Sequence, residues 1–144
     1  MDNNVNSEKI YSVVSPETIL HMIVRKNNVV KGRVDIVPEE NFIQCSLLNL
    51  DKGKTFKPHK HIWKERTNNV IAQESWVVIK GSVKCIFYDL DDTLLSEHIL
   101  YEGDSSFTLQ GGHNYLILED NTIVYEYKTG PYEGQALDKI FLND

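Results

Sequence analysis

A chain of 144 residues is the length of one domain, and it can bury a core without a disulfide or a structural metal to hold it together. Its 41% hydrophobic and 25% charged residues exclude a disordered chain, and a net charge of -6 excludes the basic surface that nucleic-acid binders set against phosphates. No apolar run nears the ~20 residues of a membrane span, the N-terminus has no apolar signal region, and Cys45 and Cys85 form no CxxC pair, so a cytoplasmic, soluble protein with ordinary core thiols is expected.

Residues 1–9 are polar and read as loose. Ser15-Pro16-Glu17-Thr18, followed by Ile19, Leu20, Met22, Ile23 and Val24, reads as a capped helix or a strand. Ser15 as cap and Pro16 at the first position favour the helix, and the β-branched end counts against it. Residues 1–28 are expected to form an N-terminal extension packing on a β-barrel domain of residues 29–144.

From Val29 onward, short apolar segments alternate with turn residues. Phe42–Leu50 runs to the turn Asp51-Lys52-Gly53, and Trp76–Tyr88 reads as two strands joined through Gly81-Ser82. Asp89-Leu90-Asp91-Asp92 is the next turn, before a strand at Ser96–Tyr101. Gly103-Asp104 and Gly111-Gly112 break the stretch that follows. Tyr115–Leu118 and Thr122–Lys128 are expected to pair around Glu119-Asp120-Asn121, before the stop at Thr129-Gly130-Pro131-Tyr132. Many short strands with Gly, Asp and Asn turns, and no long amphipathic helix, make an all-β barrel or sandwich.

There are five histidines, and His59 and His61 stand at i and i+2 in Pro58-His59-Lys60-His61. On a strand both imidazoles project to one face and can share a metal ion. The alternative is a pair of solvent-facing histidines in a polar loop. His21 and His98 stand apart and read as ordinary histidines.

Gly53, His59, His61, Glu74 and Gly81 together resemble the first motif of the cupins: Gly, five residues, His-x-His, a short gap, Glu, six residues, Gly. Twelve residues separate His61 from Glu74, where the family has three or four. Trp63–Asn69 reads as an insertion in a hairpin turn, which costs little. Glu65 fits the short gap and competes with Glu74, but only Glu74 keeps the spacing to Gly81. Gly103 through Gly111-Gly112-His113 resembles the second motif, with Leu109 in place of its Pro and the His one residue early.

This resemblance implies an antiparallel double-stranded β-helix, the RmlC-like jelly roll, with a metal held by His59, His61, Glu74 and His113. Three imidazoles and a carboxylate suit Fe, Mn, Ni, Zn or Co. Thr55-Phe-Lys-Pro-His-Lys-His, Gln73–Gly81 and Tyr127–Tyr132 are similar to small single-domain cupins of bacterial surface-polysaccharide gene clusters. That likeness implies a small-molecule ligand, a sugar or nucleotide sugar, in isomerase- or epimerase-like chemistry, and a homodimer formed through edge strands. The same scaffold also serves as a non-catalytic binding module or an Fe(II) dioxygenase. No nucleic-acid or membrane partner is expected.

Cys85–Thr93 also resembles the first motif of haloacid-dehalogenase-type phosphatases, with Asp89 as nucleophile and Asp91 as acid/base. That motif ends the first strand of a parallel sheet, whose crossovers need a dozen or more residues each. Only about fifty residues follow Asp92, and they read as strands and turns. An acidic turn between antiparallel strands is the expectation.

If Glu74 points inward, the period of two carries Trp76 and Val78 with it, and His113 carries Tyr115 and Ile117. Trp76 and Tyr115 are candidate pocket residues that could stack on a flat ligand. Glu126 and Lys128 share a strand face with Val124, either as a pocket acid and base or as a surface ion pair, with the surface pair favoured.

Overall fold

A computed structural model of the chain describes residues 7–64, 70–130 and 139–142. Fourteen strands are described, and the helical content is one 3-10 turn at Lys26–Asn28. The strands are β1 (Ser7–Tyr11), β2 (Ile19–Val24), β3 (Gly32–Asp35), β4 (Ile43–Leu50), β5 (His59–His61), β6 (Trp63–Lys64) and β7 (Val70–Ile71). They continue with β8 (Glu74–Lys80), β9 (Ser82–Tyr88), β10 (Leu94–Tyr101), β11 (Ser105–Thr108), β12 (Gly112–Ile117), β13 (Thr122–Thr129) and β14 (Lys139–Phe141).

Two five-stranded antiparallel sheets face each other. Sheet one runs β10-β9-β12-β5-β14 and sheet two runs β11-β8-β13-β4-β3. The chain repeatedly crosses from one sheet to the other, as in a jelly roll. Gly81 makes one such crossing, between β8 and β9, at φ +89°. This left-handed backbone suits glycine, because a side chain would run into Thr122.

Val78 and Val124 of sheet two meet Val83, Cys85 and Ile117 of sheet one in a core where each is at most 1% exposed. Removing such side chains from water contributes about 1.5–3 kcal/mol apiece. The outer face of sheet two has its own cluster of Ile36, Cys45 and Leu47, against which Met22 and Val24 of β2 pack. Both cysteines are free and buried. Burial pushes the Cys85 thiol up to about 11 and the Cys45 thiol to about 12, so both are unreactive.

One open choice is decided here and two sequence expectations are corrected. Residues 19–24 form a strand, because pairing with β1 gives the β-branched run a ladder, and Ser15–Thr18 becomes the turn between the two. The same pairing orders Ser7–Lys9, which the sequence reads as loose. β12 and β13 do not pair across Glu119–Asn121: β12 joins β9 and β5, while β13 lies between β8 and β4 in the other sheet. The short connection there is a corner between sheets.

The Asp89–Thr93 segment is a turn between antiparallel β9 and β10. Asp89 N–H donates to the Thr93 carbonyl at 2.8 Å, and the Thr93 hydroxyl donates to Asp91 at 2.6 Å. Its carboxylates serve the turn itself, and Asp92 pairs with Lys60 at 2.7 Å. Among the described residues every strand pairing is antiparallel, so no parallel strand end presents them to a phosphate. Among the described residues, no helix is long and apolar enough to cross a membrane.

Candidate metal centre

Strand register decides which side chains face the space between the sheets. In sheet one, His113 of β12 lies opposite His59 of β5, and β14 lies along the other edge of β5, with Lys139 opposite His61 and Phe141 opposite His59. Cross-strand partners share a face, so all three imidazoles point inward.

Sheet two presents its inner face in rows. Thr108, Glu74, Lys128 and Gln44 form the row nearest the histidines. Ser106, Trp76, Glu126, Ser46 and Asp35 form the next. Val78, Val124 and Leu48 then close the apolar core. The sandwich is thus polar at one end and dry at the other.

His59, His61, Glu74 and His113 converge, with one donor atom from each lying within 4.8 Å of the others, and all four residues are buried. Glu74 Oε2 is 2.7 Å from His113 Nε2 and 3.3 Å from His61 Nε2. His59 and His113 Nε2 atoms are 3.2 Å apart. Donors bound at about 2.1 Å to one ion stand about 3.0–3.4 Å from their neighbours in octahedral or tetrahedral arrangement. The 3.2 and 3.3 Å separations match that spacing and the 2.7 Å contact is a hydrogen bond that an ion would replace, so this mixed nitrogen and oxygen donor set fits a transition-metal ion.

The outer nitrogens are held as such a site requires. His59 Nδ1 lies 3.1 Å from the Lys57 carbonyl, which can only accept, so Nδ1 carries the proton and Nε2 keeps its lone pair. His113 Nδ1 lies 2.7 Å from Thr108 Oγ1 and 3.4 Å from the Tyr115 hydroxyl. Such outer contacts fix ring orientation and tautomer.

Electrostatics follow burial. Burial and the facing His113 charge push His59 down to about 4, so it is a neutral imidazole near pH 7. Burial alone would raise the Glu74 carboxyl, but the charges and hydrogen bonds of His113 and His61 hold it well below the usual carboxylate range. Burial keeps the Tyr115 phenol well above its ordinary value, and Glu74 adds to that.

A cavity of about 310 Å³ opens beside the four donors. His59, His61 and Glu74 line it, and so do Trp76, Tyr115, Glu126 and Lys128. Trp76 and Tyr115 stack at 3.8 Å with planes 3° apart, and each is 2% exposed, so the pair forms a rigid inner wall.

Glu126 is no surface residue, and the expected surface ion pair with Lys128 is corrected. It is 4% exposed and receives both Arg33 Nη atoms at 2.6 and 3.2 Å, and Trp76 Nε1 at 2.9 Å. Burial and the Glu74 charge push its carboxyl up, and Arg33 opposes them. The sequence reading missed Arg33. Its only local signal is Arg33 and Asp35 flanking Val34, a pattern that suits a solvated strand face equally well. Lys139 and Thr108 were missed too, since only the fold brings them to the site. Glu65, the alternative carboxylate, lies outside the described residues, as does most of the Trp63–Asn69 insertion.

No family model and no curated protein matches the sequence. Solved structures do match in shape. CapF bound to the inhibitor 3-isopropenyl-tropolone is 17% identical at a TM-score of 0.63, covering 92% of this chain and 37% of that one. An uncharacterized conserved protein from Klebsiella pneumoniae, with a double-stranded β-helix domain, is 14% identical at 0.59, covering 85% of this chain and 97% of that one. KdgF from a Halomonas species is 16% identical at 0.52, covering 70% of this chain and 80% of that one. The chain thus spans little more than a third of CapF but most of the two smaller proteins. These are cupin structures, and the chain has their fold, the antiparallel double-stranded β-helix.

Proposed function

We propose that this cupin-fold chain binds one divalent transition-metal ion through His59, His61, Glu74 and His113, and that the ion holds a small polar ligand, a sugar or nucleotide sugar, in the adjoining cavity. The observation that carries the proposal is the convergence of four buried donors at metal-site spacing. Three imidazoles and one carboxylate turned on a single point are the mixed nitrogen and oxygen donor set that divalent transition metals take.

Bound there, the ion supplies Lewis-acid polarisation of a ligand oxygen. The chain's own groups do the rest. Glu74 offsets part of the cationic charge, and Lys57 and Thr108 hold the His59 and His113 rings in place. Trp76 and Tyr115 keep water from the inner side of the cavity. Arg33 locks Glu126, whose oxygens serve as fixed acceptors along the cavity wall.

Metal analysis of the purified protein tests the ligand set: about one equivalent in the wild type, and loss in both His59→Ala and His113→Ala. Stoichiometric metal that persists in both variants rules the set out. The sugar ligand, the place in surface-polysaccharide synthesis and the homodimer are supported by the motif resemblance. Glycosyltransferase or nucleotide-sugar genes beside this one, and a dimeric mass in solution, are the expected findings. Oxygen uptake by the Fe(II)-loaded protein would point to a dioxygenase instead.

A further inference from the structure

The outer face of sheet two carries a bare apolar groove and, beside it, a bare apolar knob. Phe107 of β11, Ser75 of β8, Tyr127 of β13 and Cys45 of β4 are successive cross-strand partners, so they form one outward-facing row. At its Cys45 end the row is buried, because Met22 and Val24 of the β1–β2 hairpin pack there. At its Phe107 end it is uncovered. Phe42, Ile43 and Leu109 join Phe107 and Tyr127 around a groove of about 330 Å³, and all but Tyr127 are more than half exposed.

The knob is the tip of the β1–β2 hairpin, residues 12–18. Its backbone is held as a closed turn: Ser12 N–H donates to the Thr18 carbonyl and Thr18 N–H to the Ser15 carbonyl, both at 2.9 Å. Ser15 N–H donates to the Ser12 hydroxyl at 3.0 Å. Such turns favour Gly, Pro, Asn, Asp and Ser. This one presents Val13 and Val14 side by side, 94% and 95% exposed, so neither reaches the groove of its own chain. Knob and groove are neighbours nonetheless. Ile19 and Leu20, the first residues of β2 after the tip, line a pocket with Ile43 and Tyr127, which also line the groove.

We infer that this face is an interface with a second copy of the chain, in which Val13 and Val14 of each protomer plug the groove between Phe42, Phe107 and Tyr127 of the other. This interface rests on the homodimer proposed above, and moves it from the edge strands to an outer sheet face.

A second copy fits on three counts. Knob and groove lie on the same face, so a two-fold axis normal to that face brings each tip over the other groove, and the contact closes on itself as a dimer. The groove residues and the two valines leave exposed roughly 800 Å² on each protomer, which is what each partner of a standard interface buries. The surface turned into the groove is overwhelmingly apolar, so branched aliphatic side chains suit it and a sugar or other polar ligand gains little there.

Sedimentation of the whole chain over a concentration series tests this, with V13S/V14S at the tip, F107S/L109S at the groove and L94S/L95S on the edge strand β10. All six side chains are more than half exposed, so the variants are expected to keep the fold. Wild type is expected to run as a dimer at about 10 μM, and the tip and groove variants to dissociate about tenfold or more readily, while the edge variant stays dimeric. Mixing the tip and groove variants leaves one plug and one groove intact. The mixed dimer is therefore expected to be tighter than that of either variant alone, a rescue that misfolded variants could not give.

A wild type that is monomeric across the series overturns the homodimer itself. A dimer that survives in the tip and groove variants, or that only the edge variant dissociates, keeps the homodimer and overturns this interface. A monomer that binds phosphatidylcholine vesicles through Val13 and Val14 overturns it in favour of a lipid surface.

Discussion

Arg33 and Glu126 are separated by 93 positions in the chain and joined by two hydrogen bonds. Arg33→Ala would leave the Glu126 carboxylate, whose side chain is 5% exposed, with the Trp76 indole as its remaining described donor. Breaking a buried pair this way costs about 3–5 kcal/mol; because the Arg33 side chain is 39% exposed and partly screened, about 2–3 kcal/mol is expected, read as a lower urea midpoint at unchanged slope. His59 gives a pH dependence. Its folded value of about 4 lies below its ordinary 6.5, so between these values the unfolded chain binds more protons. Stability of the metal-free protein is therefore full above pH 6.5 and falls as pH drops toward 4, by up to about 3 kcal/mol. His59→Gln is expected to flatten that fall in denaturation curves taken at stepped pH. Residues of this kind differ in how far the sequence reveals them. His59 and His61 announce themselves by a spacing of two, whereas Arg33 gains its role only from a strand pairing that local sequence does not encode.

At the scale of elements, the crossings between sheets matter most. Gly81→Ala would place a Cβ 3.0 Å from the Thr122 Cα, at a position where φ is +89° and Thr122 is fully buried. A cost of about 2–4 kcal/mol is expected from the backbone strain and overpacking together. Gly103→Ala is the control: its φ is +90° but the space beside it is open, so about 1 kcal/mol is expected. Thermal melts of the two variants check the difference. The strands themselves are readable from alternation and turn residues, and the strands and turns after Asp92 mark Asp89–Asp92 as an antiparallel turn despite a strong rival motif. Partner choice was not readable. Strands adjacent in sequence pair most often, so β12 and β13 looked like a hairpin, but inward-facing His113, Tyr115 and Ile117 and inward-facing Val124 and Glu126 belong on opposite walls of one core. The open choice between helix and strand after Pro16 is decided on similar grounds: a cap signal is worth about 1 kcal/mol, and pairing the whole of β2 with β1 outweighs it.

For the whole molecule, metal and stability are linked, because β5, β12 and β8 each contribute donors and the ion would tie the two sheets together. Binding at a hundredfold excess over its dissociation constant adds about 2.7 kcal/mol to folding. A rise in melting temperature on adding metal, reversed by chelator and absent in His113→Ala, is the expected outcome in a thermal shift series. The jelly-roll architecture is legible because two spaced motifs, Gly53–Gly81 and Gly103–His113, sit among short strands that run through most of the chain. The closing strand β14 was not, since its three residues carry no pattern of their own and are defined only by the edge of β5 that they cover.

The stacked pair of Trp76 and Tyr115 makes the cavity optically visible. The chain has two tryptophans, Trp63 and Trp76. Trp63→Phe leaves a single tryptophan, selectively excited at the red edge of the absorption band, that is 2% exposed, lies against a phenol ring and donates its N–H to Glu126. Its emission is expected to be blue-shifted in the folded protein. A paramagnetic ion such as Mn(II) at the neighbouring centre should quench it, whereas Zn(II) should not, so the protein carries its own gauge of occupancy.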